Sequence, residues 1–196
     1  MQNYIYGAGG HGKVVLDAML LSGINCAGFF DDRELSAWAG LKVYSPSNLN
    51  FDSLHLHLAI GSCKTRELMA TKLEYAKFLS IKHPAAVIAK TATIGIGAFV
   101  AAQTVIAPDA VVGRHCIINH GAVVDHDCVV GDFTHIAPQC SLGGAVRVGR
   151  GVLVGAGAVI LPGLVIEDYA VIGAGAVVTK NVGCGVTLVG NPAKPI

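Results

Sequence analysis

Residues 118–148 read INHGAVVDHDCVVGDFTHIAPQCSLGGAVRV. Every sixth position in this stretch (Ile118, Val124, Val130, Ile136, Leu142 and Val148) is aliphatic. The row continues at the same step down through Val112, Ile106, Val100 and Ile94 to Ile88, and up through Val154, Ile160, Ile166 and Ile172 to Val178. The position four residues after each aliphatic is mostly small, as at Ala98, Ala110, Cys116, Ala122, Cys128, Cys140 and Ala158. A step of six does not fit a helix of 3.6 residues per turn; it fits a short strand, a corner and another strand. Strand alternation points the aliphatic residue and the residue two before it inward. The second and third residues after the aliphatic then fall on a corner. Three hexads close one triangular coil of about 18 residues, so the pattern predicts a parallel β-helix of about five coils and not a β-sandwich with accidental spacing.

Outside this row the chain changes character. Of its 25 glycines, 17 lie after residue 88, which predicts two parts of different architecture within the 196 residues. Charged residues make up 14% and the formal net charge is +1, so neither a charged disordered chain nor an electrostatic nucleic-acid binder is expected. Hydrophobic residues reach 53%. Even so, the longest uncharged apolar stretch near the C-terminus, 152–166, is interrupted by Gly155, Gly157, Pro162 and Gly163 and falls short of the roughly 20 residues of a spanning helix. No basic, apolar leader opens the chain. Its six cysteines therefore read as reduced thiols of a cytoplasmic protein.

Residues 1–82 read as a Rossmann-like βαβ unit and residues 83–196 as the β-helix, with His83-Pro84 breaking the helical pattern between them. Strands are predicted over 3–6, 26–30 and 56–60, and helices over 13–22 and 64–76. Between the first strand and helix runs Gly7-Ala8-Gly9-Gly10-His11-Gly12, a G-x-G-x-x-G pattern, with Asp31-Asp32 closing the second strand. Some 80 residues are half of a doubly wound domain, too few to cradle NAD with a substrate. The physical logic of the loop still holds, because glycines let backbone N–H groups approach a pyrophosphate at a helix N-terminus. A nucleotide-sugar diphosphate is the preferred ligand, against a purely structural tight turn or NAD. Gly9, Gly10, His11, Asp31, Asp32 and Gly61, the last at the end of the third strand, form the predicted substrate-binding set. Within it, His11 would donate to a phosphate or sugar oxygen and the two acids would hold ribose or base groups.

Reactive side chains gather in the middle coils: His115, His120, Asp125, His126, Asp127, Cys128 and His135. Cys128 takes an inward small position, as Cys116 and Cys140 do, and reads as a packing thiol. His126 and Asp127 fall on a corner, where the bend lets adjacent side chains meet. One coil away stand Pro108 and Gly144, so His126 is expected to project beside open space. A single inward row is too little apolar surface to offset the ordering of the coils. Outward residues such as Val123, Val129 and Val171 therefore predict burial against further copies of the chain.

Tyr6-Gly7-Ala8-Gly9-Gly10-His11-Gly12, Asp31-Asp32, Val124-Asp125-His126-Asp127-Cys128-Val129-Val130-Gly131 and the tail Gly190-Asn191-Pro192-Ala193-Lys194 together resemble the bacterial sugar O-acyltransferases. That family includes UDP-N-acetylbacillosamine N-acetyltransferases and sialic acid O-acetyltransferases. The resemblance spans essentially the whole chain. It implies a left-handed β-helix, a homotrimer with active sites at subunit interfaces, and acetyl transfer from acetyl-CoA, with no metal, to the amine of a UDP-linked 4-amino sugar; sialic acid O-acetylation is the rival activity. It implies that His126 is the general base. Asp127, where some members carry Glu, would orient its ring, with Asp125 as the alternative. It places His135 near the CoA or its carbonyl, Gly155, Ala156 and Ala174 along the pantetheine arm, and Lys194 at a CoA phosphate. Two other classes stay open. Metal-dependent carbonic anhydrases also use hexapeptide β-helices, and His115 and His120 have a suggestive spacing of five, but a third ligand is needed and His83 lies before the clean coils. A nucleotide-sugar sensor without chemistry would bind but not react.

Overall fold

The computed structural model describes residues 2–47, 51 and 54–196. The N-terminal part contains β1 (Asn3–Tyr6), α1 (Gly10–Leu21), β2 (Gly28–Phe30), β3 (Ala37–Trp38), β4 (Leu41–Tyr44), β5 (His55–Leu58), α2 (Cys63–Lys72) and β6 (Lys77–Phe78). These strands form one sheet in the order β3-β4-β2-β1-β5-β6. All its pairings are parallel except the β3–β4 hairpin. Both predicted helices and the three predicted strands are present. Three short strands, β3, β4 and β6, carry no clear alternation and escaped the sequence reading. α1 begins at Gly10, inside the glycine loop, with Gly9 as its N-cap.

From Ile81 onward the chain winds into a three-sided β-helix whose faces hold eight, six and five strands, all paired in parallel except the last, Lys194–Pro195. Pairing at a step of 18 is visible in Phe99↔Ile117↔His135↔Leu153 on the first face. On the second face it runs Val105↔Val123↔Ser141, and on the third Val111↔Val129↔Arg147. The aliphatic row from Val100 to Val178 is buried, with the small row two residues earlier interleaved in the same core. Turns fall where the hexad reading puts corners, and the second corner residue repeatedly adopts a left-handed backbone, as at Asp109, His115, Asp127 and Phe133.

The column is longer than its aliphatic row. Ile81–Lys82 is its first strand, with Lys82 opposite Val100, so a polar residue hides the start. At the other end the step shortens. Leu188 pairs with Ile172 and Val182 with Ile166, each 16 residues on instead of 18, which is why the six-step run stops at Val178.

The N-terminal part packs on the lower first face. Ile81, Phe99, Ala101 and Ile117 share one core with Ile5, Val15, Met19 and Phe29. On the neighbouring corner, α2 is held by Glu67, whose carboxylate meets Arg150 at 2.7 Å. Among the described residues no helix is long and apolar enough to cross a membrane.

Candidate active site

His126 sits on the corner between the second and third faces. The left-handed backbone of Asp127 (φ 60°) turns its carboxylate back along the His126 ring. The two side chains meet at 2.8 Å, Nδ1 to Oδ2, and both are about 60% exposed. A carboxylate can only accept here, so Nδ1 carries the proton and Nε2 is the free basic atom. Asp125 does a different job: its Oδ1 accepts the backbone N–H of His126 at 2.7 Å. Asp127 is thus the acid on the ring and Asp125 the acid on the backbone. The Asp127 hydrogen bond, followed by the charge of Asp125, raises the imidazole above its ordinary value.

Gly144, one coil up, provides the room for this ring. A Cβ there would stand 2.5 Å from Nε2. The ring therefore lies along the ridge over Gly144 and does not project away from it.

The nucleotide-side residues divide into structural and open groups. A Cβ at Gly12 would overlap the Gly7 carbonyl, while Gly9 and Gly10 have nothing near the Cβ position. Gly7 itself needs φ +114°. The first and third motif glycines thus make the turn, and the middle of the loop opens at the N-terminus of α1. Trp38 Nε1 donates to the Gly9 carbonyl at 3.2 Å and carries Lys13 over its ring. Sequence reasoning passed over Trp38, which had no motif around it.

Asp31 is fully committed. It accepts from Ala8 N–H at 2.7 Å and from the Arg33 N–H, Nε and Nη2 at 2.8–3.0 Å. Arg33, followed by these backbone donors, holds its carboxyl down at about 2 despite burial. Asp31 therefore fixes the glycine loop, and the acid left facing outward is Asp32, which accepts from Tyr6 Oη at 3.1 Å. His11 turns inward instead of toward the loop mouth. Its ring stands edge-on to Phe99 at 5.2 Å, Nε2 is buried without a partner, and burial lowers it to about 3. In this arrangement Nε2 is not presented at the loop mouth.

The residues expected along the thioester arm occupy another ridge, between the first and second faces. Ala156 and Ala174 stack there, one coil apart, above Pro138 and His120. Gly155 spends its N–H on Ile172 (2.7 Å), and its missing side chain lets the next coil approach, so it supplies space instead of a donor. Ala156 and Ala174 are exposed, and among the described residues neither N–H has a protein acceptor. His135 lies on the first face with both ring nitrogens bonded, to the Gly61 carbonyl (3.2 Å) and to Asn119 Nδ2 (3.2 Å). Gly61 thus faces the column at His135. Lys194 is exposed on the antiparallel last strand, against Val189. His115, considered as a metal ligand, is sealed in a stack on Phe133 at 5.2 Å. Among the described residues no three His, Cys, Asp or Glu side chains are grouped to hold a metal.

Comparison with known proteins places this geometry. The PglD N-terminal domain model matches residues 3–73, and the bacterial transferase hexapeptide model matches 127–162 and 145–180. The acetyltransferase domain of PglB from Neisseria gonorrhoeae FA1090 is 32% identical, with a TM-score of 0.95, over 100% of this chain and 99% of that one. This chain belongs to the hexapeptide-repeat sugar acetyltransferases with a PglD-type N-terminal domain. PerB from Caulobacter crescentus, solved with CoA and GDP-perosamine, is 33% identical at a TM-score of 0.94 over 100% of this acetyltransferase and 97% of its own chain. WeeI from Acinetobacter baumannii AYE is 31% identical at 0.92 over the full length of both. No curated protein sequence matches this acetyltransferase.

Proposed function

We propose that this enzyme transfers an acetyl group from acetyl-CoA to the amine of a nucleotide-linked 4-amino sugar, with UDP as the expected nucleotide, and that His126 is the general base. The observation that carries the reading is the His126–Asp127 pair: an exposed imidazole with Nδ1 bonded to a carboxylate and Nε2 free. Neutral His126 takes a proton from the amine as its nitrogen attacks the thioester carbonyl. The imidazolium, stabilised by Asp127, then returns the proton to the departing CoA thiolate. The open glycine loop at the start of α1, with Asp32 and Gly61, holds the nucleotide sugar. Ala156 and Ala174 offer N–H groups to the pantetheine arm, and Lys194 meets a CoA phosphate. Complexes of PglB with acetyl coenzyme A and of PerB with GDP-perosamine support both ligand classes.

The enzyme works as a homotrimer. Val87, Val105 and Val159 on the second face, and Val111 on the third, leave exposed apolar side chains on both sides of the His126 ridge. Packing these faces against neighbours covers them and places His126 in a groove between subunits. Its cysteines are all free thiols, which fits the reducing cytoplasm.

The test is mass spectrometry of products from acetyl-CoA with UDP- and GDP-linked 4-amino sugars and free sialic acid, beside light scattering of the protein. An N-acetylated nucleotide sugar and a trimer mass are expected. Acetylation of sialic acid alone, or no thiol release with any acceptor, overturns the reading.

A further inference from the structure

Arg66 is 1% exposed, yet among the described residues it meets no carboxylate. Its guanidinium is satisfied by main-chain carbonyls from both halves of the molecule. Nε donates to His115 at 2.7 Å and Nη2 to Phe133 at 2.6 Å, both on one corner of the column. Nη1 donates to Ile60 at 2.6 Å and Gly61 at 3.2 Å, on the loop between β5 and α2. A buried charge without a counter-ion is costly, and an apolar side chain would serve for packing alone. What a planar fork adds is fixed direction: it ties the Ile60 and Gly61 carbonyls to one corner of the column.

The Gly61 carbonyl has a second partner. Gly61 oxygen also accepts from His135 Nδ1 at 3.2 Å. Because a carbonyl cannot donate, the proton is on Nδ1, and His135 Nε2 is left to accept from Asn119 Nδ2 at 3.2 Å. Asn119 Oδ1 in turn accepts the N–H of His120 at 2.9 Å, on the ridge where Pro138, Ala156 and Ala174 stack. We infer that Arg66 is a positioning residue for acetyl transfer: through the Gly61 carbonyl it sets the tautomer and orientation of His135, and through Asn119 the ridge that takes the thioester arm. The charge of Arg66 has a second effect in the same direction. After burial, it is the next cause holding His135 neutral, at about 4. His135 is thus a fixed hydrogen-bonding ring and takes no part as an acid or base. Its relevance to catalysis rests on the proposed acetyl transfer; its tautomer does not.

The experiment is long-range nitrogen–proton NMR of histidine-labelled enzyme, wild type and Arg66→Lys, alongside steady-state kinetics. Wild-type His135 is expected as a single Nδ1–H tautomer that does not titrate between pH 5 and 8. Lysine keeps the charge but not the fork. In Arg66→Lys the ring should become a mixture of tautomers, with kcat/KM for acetyl-CoA down about tenfold. An Nε2–H tautomer or a titration near pH 6.5 in the wild type overturns the inference without recourse to any variant. So does an Arg66→Lys enzyme with unchanged tautomer and unchanged kcat/KM. Should the wild type transfer no acetyl group, the functional reading fails while the tautomer result still decides the role of Arg66.

Discussion

Two histidine settings in this molecule are opposites. On the ridge, His126 is open to solvent, bonded to one carboxylate and backed by another, and its affinity for a proton is raised. In the seam between the two halves, His11, His57, His115 and His135 are packed against aromatic rings, main-chain carbonyls and the Arg66 charge, and each is lowered to about 3 or 4. The lesson is that the side chain does not name its role; the carboxylate and the solvent do. A base must gain and lose a proton near working pH, and only the ridge provides for that. Removing the ridge imidazole is therefore the largest effect we expect. His126→Ala should lower kcat by about 10²–10⁴-fold with the assembly intact, as read by thiol release and light scattering. A loss below tenfold would erase the contrast between the two settings.

The ring's place on the ridge can be disturbed without touching it. Gly144 has an ordinary backbone, so alanine is tolerated there conformationally, but its Cβ would enter the space of Nε2. Gly144→Ala should cost about 10–100-fold in kcat by displacing the ring, with a melting temperature close to wild type. If kcat is unchanged, the ring is not held over Gly144 during turnover.

Asp127→Asn is smaller and more diagnostic. The carboxylate is the first cause raising His126, so its loss lowers the imidazole's proton affinity. The active form is the neutral base, and the acid limb of the kcat profile should move to lower pH. The plateau should fall about tenfold, because a weaker base transfers less efficiently and its imidazolium loses a partner. An acid limb that stays in place would assign the shift to Asp125.

The column was legible from residue spacing alone because each coil repeats one packing problem: an aliphatic inward, a small residue beside it, a turn outward. It faded where that problem changed. Lys82 occupies the row's first place, and beyond Val178 the step shortens, so neither end of the column could be read. The ridge pair was legible for the same reason, since position in the hexad places Asp127 beside His126. The seam was not. Arg66 lies in an unremarkable stretch of α2, Cys63-Lys64-Thr65-Arg66, and its partners are carbonyls, which leave no trace in sequence. His11 stands in a glycine motif that suggests a phosphate ligand, but Phe99, 88 residues on, decides that it turns inward. Asp31 and Asp32 are adjacent and look equivalent; Arg33 and the Ala8 N–H separate them.

The seam makes its own prediction, on stability and not on rate. A histidine lowered from 6.5 to about 4 is neutral in the folded chain over a range where the unfolded chain has already taken a proton. The unfolded state then binds more protons, so stability falls as pH drops from about 6.5 toward 4 and is level above that range. His126 acts in the opposite direction, because its folded form holds the proton more tightly, but it is exposed and weak. His115 isolates the effect. Both its ring nitrogens are buried without partners, its ring stacks on Phe133, and Phe78 meets it edge-on at 4.5 Å. Phenylalanine keeps the shape and removes two unsatisfied polar atoms. His115→Phe should be as stable as wild type or slightly more so at pH 7.5, with kcat within about twofold, since the residue touches neither ridge. The distinguishing measurement is the pH dependence of unfolding by denaturant. Between pH 6.5 and 4 the variant should lose stability less steeply, by about one proton's worth of slope. A slope unchanged from wild type would mean that His115 takes up its proton in the folded protein, and that the seam is not the dry layer the packing describes.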